Sequence, residues 1–266
     1  MSLIWIAVVT FVILQISVLC TTILLHRTLA HKGLELHPVL TNLMHLHLSL
    51  FTGIVPREWV AVHRKHHHYS DKEGDPHSPY LLGLWNVLFG NWLYYRREAA
   101  RKETIEHYTQ DYQNDLIDRI PGNRYGIVGG YAIFALLFGW GWGLAALAFH
   151  IVAYLLLNSA INSVCHMIGY RNYNNLATNV QWIAFLTGGE GLHNNHHAYP
   201  SSARFSLATG ERVDRRGLAS GPAFAAPASG RHQADPEPRH YQGRCLIGQS
   251  ATSKKNRNRS PAYATA

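Results

Sequence analysis

Apolar residues crowd into three stretches of this chain, with charged sections between and after them. Leu3 to Leu25 is a charge-free run of 23 residues, long enough as a helix to cross the ~30 Å hydrocarbon core of a bilayer. No basic segment precedes it and no small-residue cleavage site follows, so it reads as an anchor rather than a signal peptide. Arg27 and Lys32 come directly after it, which predicts a cytosolic C-terminal end and an outside N-terminus. Residues 38–55 are shorter and include His45 and His47. Ionisable side chains are expensive inside a bilayer, so this stretch predicts an interfacial helix on the cytosolic side. Residues 57–126 hold charges of both signs and predict a soluble section. Ile127 to Ile161 is 35 residues long, more than one crossing needs. Gly139-Trp140-Gly141-Trp142-Gly143 in its interior predicts a turn between two helices of about 17 residues, with the Trp residues at the far interface. Residues 167–207 are polar and loop-like, with a short helix near Trp182–Leu186.

Composition sharpens this division. The chain has 266 residues, 47% of them hydrophobic, yet its mean hydropathy is only -0.10. Residues 1–207 hold 14 Lys and Arg against 12 Asp and Glu, whereas residues 208–266 hold 10 against 4. Most of the net charge of +8 therefore belongs to the C-terminal stretch. A basic excess outside the apolar part speaks against nucleic acid as a partner. Cys20, Cys165 and Cys245 show no paired spacing, which excludes a disulfide frame or a zinc knuckle. Histidine is the unusual residue: 16 of the 18 precede residue 208.

Three histidine clusters stand out: His26-Arg-Thr-Leu-Ala-His31, His63-Arg-Lys-His66-His67-His68 and His193-Asn-Asn-His196-His197. On a helix, positions i, i+3 and i+4 share one arc. That places His63, His66 and His67 together, and likewise His193, His196 and His197, while His68 falls off the arc and is excluded. Asn162 and His166, four apart, share a face. His26 and His31, five apart, fit a straight helix poorly and predict a frayed end of the first membrane helix. Imidazole suits Zn, Cu, Fe and Ni, and this many histidines exceed what one ion can bind, so they predict two ions. The apolar helices carry no carboxylate, so the predicted shell is almost all neutral nitrogen. Lone histidines such as His37, His107 and His150 are more often structural or solvated. His77, in the turn Asp75-Pro76-His77, reads as a neighbour of ligands. A shared metal pair requires its ligands on one side of the membrane. The prediction is an all-α membrane protein of about three transmembrane helices plus interfacial helices, with a cytosolic cap holding a histidine-rich di-metal site.

At these residues the chain resembles the integral-membrane fatty acid desaturase family, whose signature is HxxxxH, HxxHH and HxxHH. Asn162-Ser-Val-Cys-His166 resembles its NSxxH segment. Glu73-Gly-Asp-Pro-His-Ser78 and Gly189-Glu-Gly-Leu-His-Asn-Asn-His-His-Ala-Tyr-Pro200 look like the delta-9 branch, especially bacterial acyl-lipid and acyl-CoA desaturases. The likeness runs from about residue 5 to 206. It implies two iron ions cycling between Fe2+ and Fe3+, O2 as co-substrate and a cis double bond placed in a saturated acyl chain, lipid- or CoA-linked. The implied ligands are His26, His31, His63, His66, His67, His166, His193, His196 and His197, with Asn162 bridging through water. No His-Pro-Gly-Gly of a fused cytochrome b5 is present, so the resemblance implies a separate electron donor, a ferredoxin or a cytochrome b5-like protein. The implied location is a bacterial inner membrane with the active site on the cytosolic side.

Residues 1–207 form the expected desaturase domain. Residues 208–266 lack apolar periodicity and are rich in Arg, Ser, Gly, Pro and Ala, which predicts a disordered basic tail. It reads either as a frameshifted end or as a natural segment on anionic lipid; the other two frames of the coding DNA distinguish these. Two rival functions remain open: a fatty acyl hydroxylase or other oxygenase on the same scaffold, and a membrane metal-binding or transport protein. Transporters place ligands at mid-membrane, whereas here they gather at the ends of apolar segments.

Overall fold

The computed structural model describes residues 2–208, 211 and 224–225; the rest of the expected tail lies outside the described residues. The fold is helical. Among the described residues one two-stranded ladder joins β1 (Glu35–Leu36) to β2 (Phe224–Ala225), antiparallel and two residues long.

Helix α1 (Leu3–Cys20) is capped by Ser2, whose hydroxyl accepts from Trp5 N. From Thr21 to Ala30 the same rod continues as a π-helix, so the first membrane segment is 28 residues long. The frayed end predicted for His26 and His31 is therefore corrected. A π-helix bonds i to i+5, and His31 N donates to His26 O at 3.1 Å. A spacing that mismatches an α-helix matches this one, and the two rings lie 4.9 Å apart. Arg64 secures the end of the π-segment, donating to Leu29 O and Ala30 O at 2.9 Å each.

Helix α2 (Pro38–Thr52) meets α3 (Pro56–Tyr69) at a bend of 89°, with Gly53 left-handed at the corner. The outward face of α2 carries exposed Val39, Leu43 and Leu46. Its buried His45 pairs with Asp115 at 2.7 Å and ties the helix to the segment before α7. Helices α4 (Pro79–Leu82), α5 (Leu84–Ala99) and α6 (Lys102–Tyr108) follow. The soluble section expected over 57–126 is not uniformly polar: α5 packs along α8 and exposes Trp85, Phe89, Trp92 and Leu93. Flanking charges hid this short apolar run in the sequence.

The predicted hairpin exists, but its halves are unequal. Helix α7 (Gly126–Phe138) has 13 residues and α8 (Trp140–Met167) has 28. The break falls at Gly139 (φ 80) alone, because the rest of the Gly/Trp segment is absorbed into α8. Two helices, Leu3–Ala30 and Trp140–Met167, are each long and apolar enough to cross a membrane. Helix α7 rises about 20 Å, short of a full span. Lipid tails give no hydrophobic drive for helix pairing, so close packing through small residues supplies it. A Cβ on Gly143 would lie 2.7 Å from Ala135 Cα, and one on Gly130 would run into Leu50 O. Ile6, Phe51, Phe134, Phe138, Ala146 and Leu147 then join α1, α2, α7 and α8 in one core. The C-terminal ends of the two long helices, bearing His26 and His166, meet at the same end of the bundle. There α3, α9 (Gln181–Leu186) and α10 (His193–Ala198) complete the fold.

Candidate metal centre

All nine histidines named from the sequence converge, in two adjoining groups. His26, His31, His63, His67 and His196 form one; His66, His166, His193 and His197 form the other. Within each group the ring nitrogens lie within 4.8 Å of one another. The His67 and His197 rings, one from each group, stack at 4.4 Å. The shared-arc expectation was too coarse. In α3 the i,i+4 pair His63 and His67 serves one group and His66 the other. In α10 the i,i+4 pair His193 and His197 serves the second group and His196 the first. Each HxxHH straddles both groups because its i+3 position is turned away from the i,i+4 line.

The short nitrogen separations fit ions. His26 and His196 Nε2 are 3.0 Å apart, His31 and His63 2.8 Å, His67 and His196 2.9 Å, and His193 and His197 3.1 Å. Two imidazoles bound at right angles, each about 2.1 Å from one ion, would have nitrogens about 3 Å apart. His66 Nε2 and His166 Nε2 are buried with no hydrogen-bond partner among the described residues. Burial in the first place, and then the charges of neighbouring imidazoles, hold His63, His67, His193, His196 and His197 well below the usual histidine range. Burial, then the charges of His26 and Arg64, push His31 down to about 2. The rings are thus neutral, the form that binds metal.

Carboxylates hold the opposite edges of three rings. Asp75 accepts from His66 Nδ1 at 3.0 Å, and Asp71 from His166 Nδ1 at 2.7 Å. Glu190 Oε2 lies 2.5 Å from His26 Nδ1 and its other oxygen takes the Thr22 hydroxyl. Such partners fix the tautomer and aim Nε2 inward. Asp75 also accepts from Asp71 N and His77 N, and Ser78 donates to Asp71. Sequence reasoning missed all three carboxylates. Glu190-Gly-Leu-His193 has the Glu-x-x-His spacing of soluble di-metal bundles, but Glu190 faces His26 here.

The two asparagines inside the third cluster were also missed. Helix α10 is only six residues long and needs anchoring. Asn194 accepts from Asn172 N and Tyr173 N and donates to Tyr173 O and Ala177 O. Asn195 donates to Phe205 O and to Glu211, and accepts from Asn179. Glu211, inside the stretch expected as tail, is buried and serves this anchor. The side chains between the histidines therefore face away and hold the helix.

Other predicted residues sit elsewhere. His68 is exposed and bonds Tyr108. His37 caps α2, and His107 is on the surface. His77 is buried with its ring 4.8 Å from that of His66. Asn162, half-buried, lines a cavity of about 180 Å3. That cavity reaches His26, His63 and His193 at one end and follows α8 from Asn162 back to Ile151.

Comparison with known proteins bears on this arrangement. The pattern of the fatty acid desaturase family matches residues 3–225. The chain is 33% identical over 213 residues to the delta-9 acyl-lipid desaturase 2 of Arabidopsis thaliana, covering 75% of this chain and 66% of that protein. It is 33% identical over 187 residues to the sn-1 stearoyl-lipid 9-desaturase of Synechocystis sp., covering 68% and 57%. It is 34% identical over 214 residues to the icosanoyl-CoA 5-desaturase of Limnanthes douglasii, covering 75% and 57%. The chain thus spans less than two thirds of the length of these relatives.

Proposed function

Since this chain belongs to the fatty acid desaturase family, we propose that it is an oxygen-dependent acyl desaturase that introduces a cis double bond at the delta-9 position of a saturated chain. The observation that carries this reading is the pair of adjoining imidazole groups opening onto a cavity that runs along α8. His26, His31, His63, His67 and His196 would hold one iron ion, and His66, His166, His193 and His197 the other. Bound iron, with O2 and electrons from a separate ferredoxin or cytochrome b5-like donor, would supply the removal of two hydrogens from adjacent methylenes.

The protein's own part is positioning. Asp71, Asp75 and Glu190 hold Nδ1 of three imidazoles and so keep Nε2 pointed inward. Asn162, one turn before His166, faces the cavity and is assigned to hold water beside the ligands. The cavity wall of α8 would lay the acyl chain past His193. The ligands gather where two membrane helices end, and the basic residues after the first run support a cytosolic position for that end. An inner membrane of a bacterium fits the likeness to the Synechocystis protein.

Expression in a host without unsaturated fatty acids, followed by lipid analysis, tests the reading. A new double bond near carbon 9 is expected, and His196→Ala should abolish it. A product heavier by one oxygen would assign the hydroxylase chemistry instead. Bound metal with no oxygen-dependent product would assign a metal-binding role.

A further inference from the structure

Helix α5 has two faces of opposite character. Val87, Asn91 and Glu98 are buried. Trp85 (66% exposed), Phe89 (71%), Trp92 (51%) and Leu93 (51%) form a stripe on the other side, spaced as one helix face. The Trp85 and Phe89 rings stack 6.1 Å apart. No described residue covers the stripe, and a contiguous apolar strip of this kind in water marks a contact surface. It is continuous with a membrane surface, because α5 packs along α8 and α8 exposes Phe149, Val152 and Leu156. Beyond the stripe come Arg96 and Arg97, then Arg101 and Lys102, all exposed. Aromatic and apolar residues on one side with Arg and Lys at the end are the composition of a helix lying at the headgroup level.

The cavity opens at this helix. Among the residues that line it, only Trp92 and Arg96 are exposed. Its far wall is α8, and its inner end is the histidine centre. The structure assigns α5 as a membrane-lying helix and the gap at Trp92–Arg96 as a lateral mouth. Through it the acyl chain of a membrane glycerolipid enters, its headgroup phosphate held by Arg96. The carrier is then a membrane lipid, since a water-soluble thioester would have to reach the mouth through the headgroup layer. This rests on the desaturase reading and names the carrier that the relatives, acyl-lipid and acyl-CoA enzymes alike, leave open.

Two measurements on the purified chain in phosphatidylglycerol-containing nanodiscs test it without requiring turnover. A fluorophore on Phe89→Cys should be quenched several-fold more by nitroxide-bearing lipid than by aqueous iodide; the reverse order overturns the placement of α5. A diazirine-bearing stearoyl phosphatidylglycerol should label α8 between Ile151 and Asn162. Labelling should fall several-fold in Arg96→Glu and persist in Arg96→Lys, which keeps the charge. Labelling only by the corresponding stearoyl thioester of coenzyme A, or equal labelling in all three proteins, overturns the carrier assignment. Failure of the desaturase reading shows separately, as no double bond in fatty acids of any carrier.

Discussion

At the metal end, His66 and His166 each donate Nδ1 to a carboxylate and leave Nε2 buried among other imidazoles. Sixteen residues earlier on α8, about 24 Å along its axis, His150 is just as buried. There the neighbours differ: His150 Nε2 is 3.5 Å from the Ser17 hydroxyl, which also meets His47 Nε2 at 2.9 Å. Both regions contain intramembrane or buried histidine, and neither is distinguished by burial. What separates them is the number of rings that converge, five and four in the two groups against two here, and a carboxylate acceptor that fixes the tautomer. Around His47 and His150 the Ser17 hydroxyl meets one nitrogen of each ring and stitches α1, α2 and α8 together, with His150 Nδ1 left without a partner among the described residues. Around His66 and His166 carboxylates turn the rings toward one another.

This contrast can be broken most sharply at a ligand. On the proposed reading, His197→Ala is expected to lower the iron content and abolish desaturation, as read by elemental analysis and product assay; His150→Phe should keep the wild-type iron content. Equal iron content in the two variants would erase the distinction. Next in size are the orienting acids. Asp71→Asn and Asp75→Asn should weaken metal retention by about 10–100-fold in chelator competition, and an unchanged affinity would mean the imidazoles need no aiming.

A smaller effect is expected at Arg64, which ties α3 to the π-segment. Arg64→Ala leaves the Leu29 and Ala30 carbonyls without their donor and should cost about 1–3 kcal/mol, measured by thermal unfolding in detergent. Its iron content should fall with stability, because His31 depends on that segment. The smallest effect belongs to the membrane pair. Ser17→Ala should cost about 0.6 kcal/mol, typical of a hydrogen bond between membrane helices, with iron content unchanged. A loss of iron there would join the two regions functionally.

How much of this was legible in the chain varied by element. The run Leu3–Leu25 and the cluster spacings at 63–67 and 193–197 announced a membrane helix and helices that gather histidines, because both signals are local. By an α-helical ruler the His26–His31 spacing predicts a frayed helix end, whereas the segment is π-helical. The hairpin was legible, but Gly139 alone breaks it, as Trp140 and its neighbours can continue a helix. The stripe on α5 was masked by charges on either side. Asp71, Asp75 and Glu190 carried no periodic signal at all.

By itself, then, the sequence determined which histidines lie within a turn of one another on a helix and which segments are apolar enough for lipid. Those are properties of neighbours along the chain, set by the rise and turn of one helix. The tertiary structure alone decided how the nine rings divide into two groups, which acid holds which ring, and where the cavity opens. His26 meets His196 across 170 residues and His166 meets Asp71 across 95. Such partners are chosen by the packing of α1, α3, α8 and α10, and no local period encodes that packing.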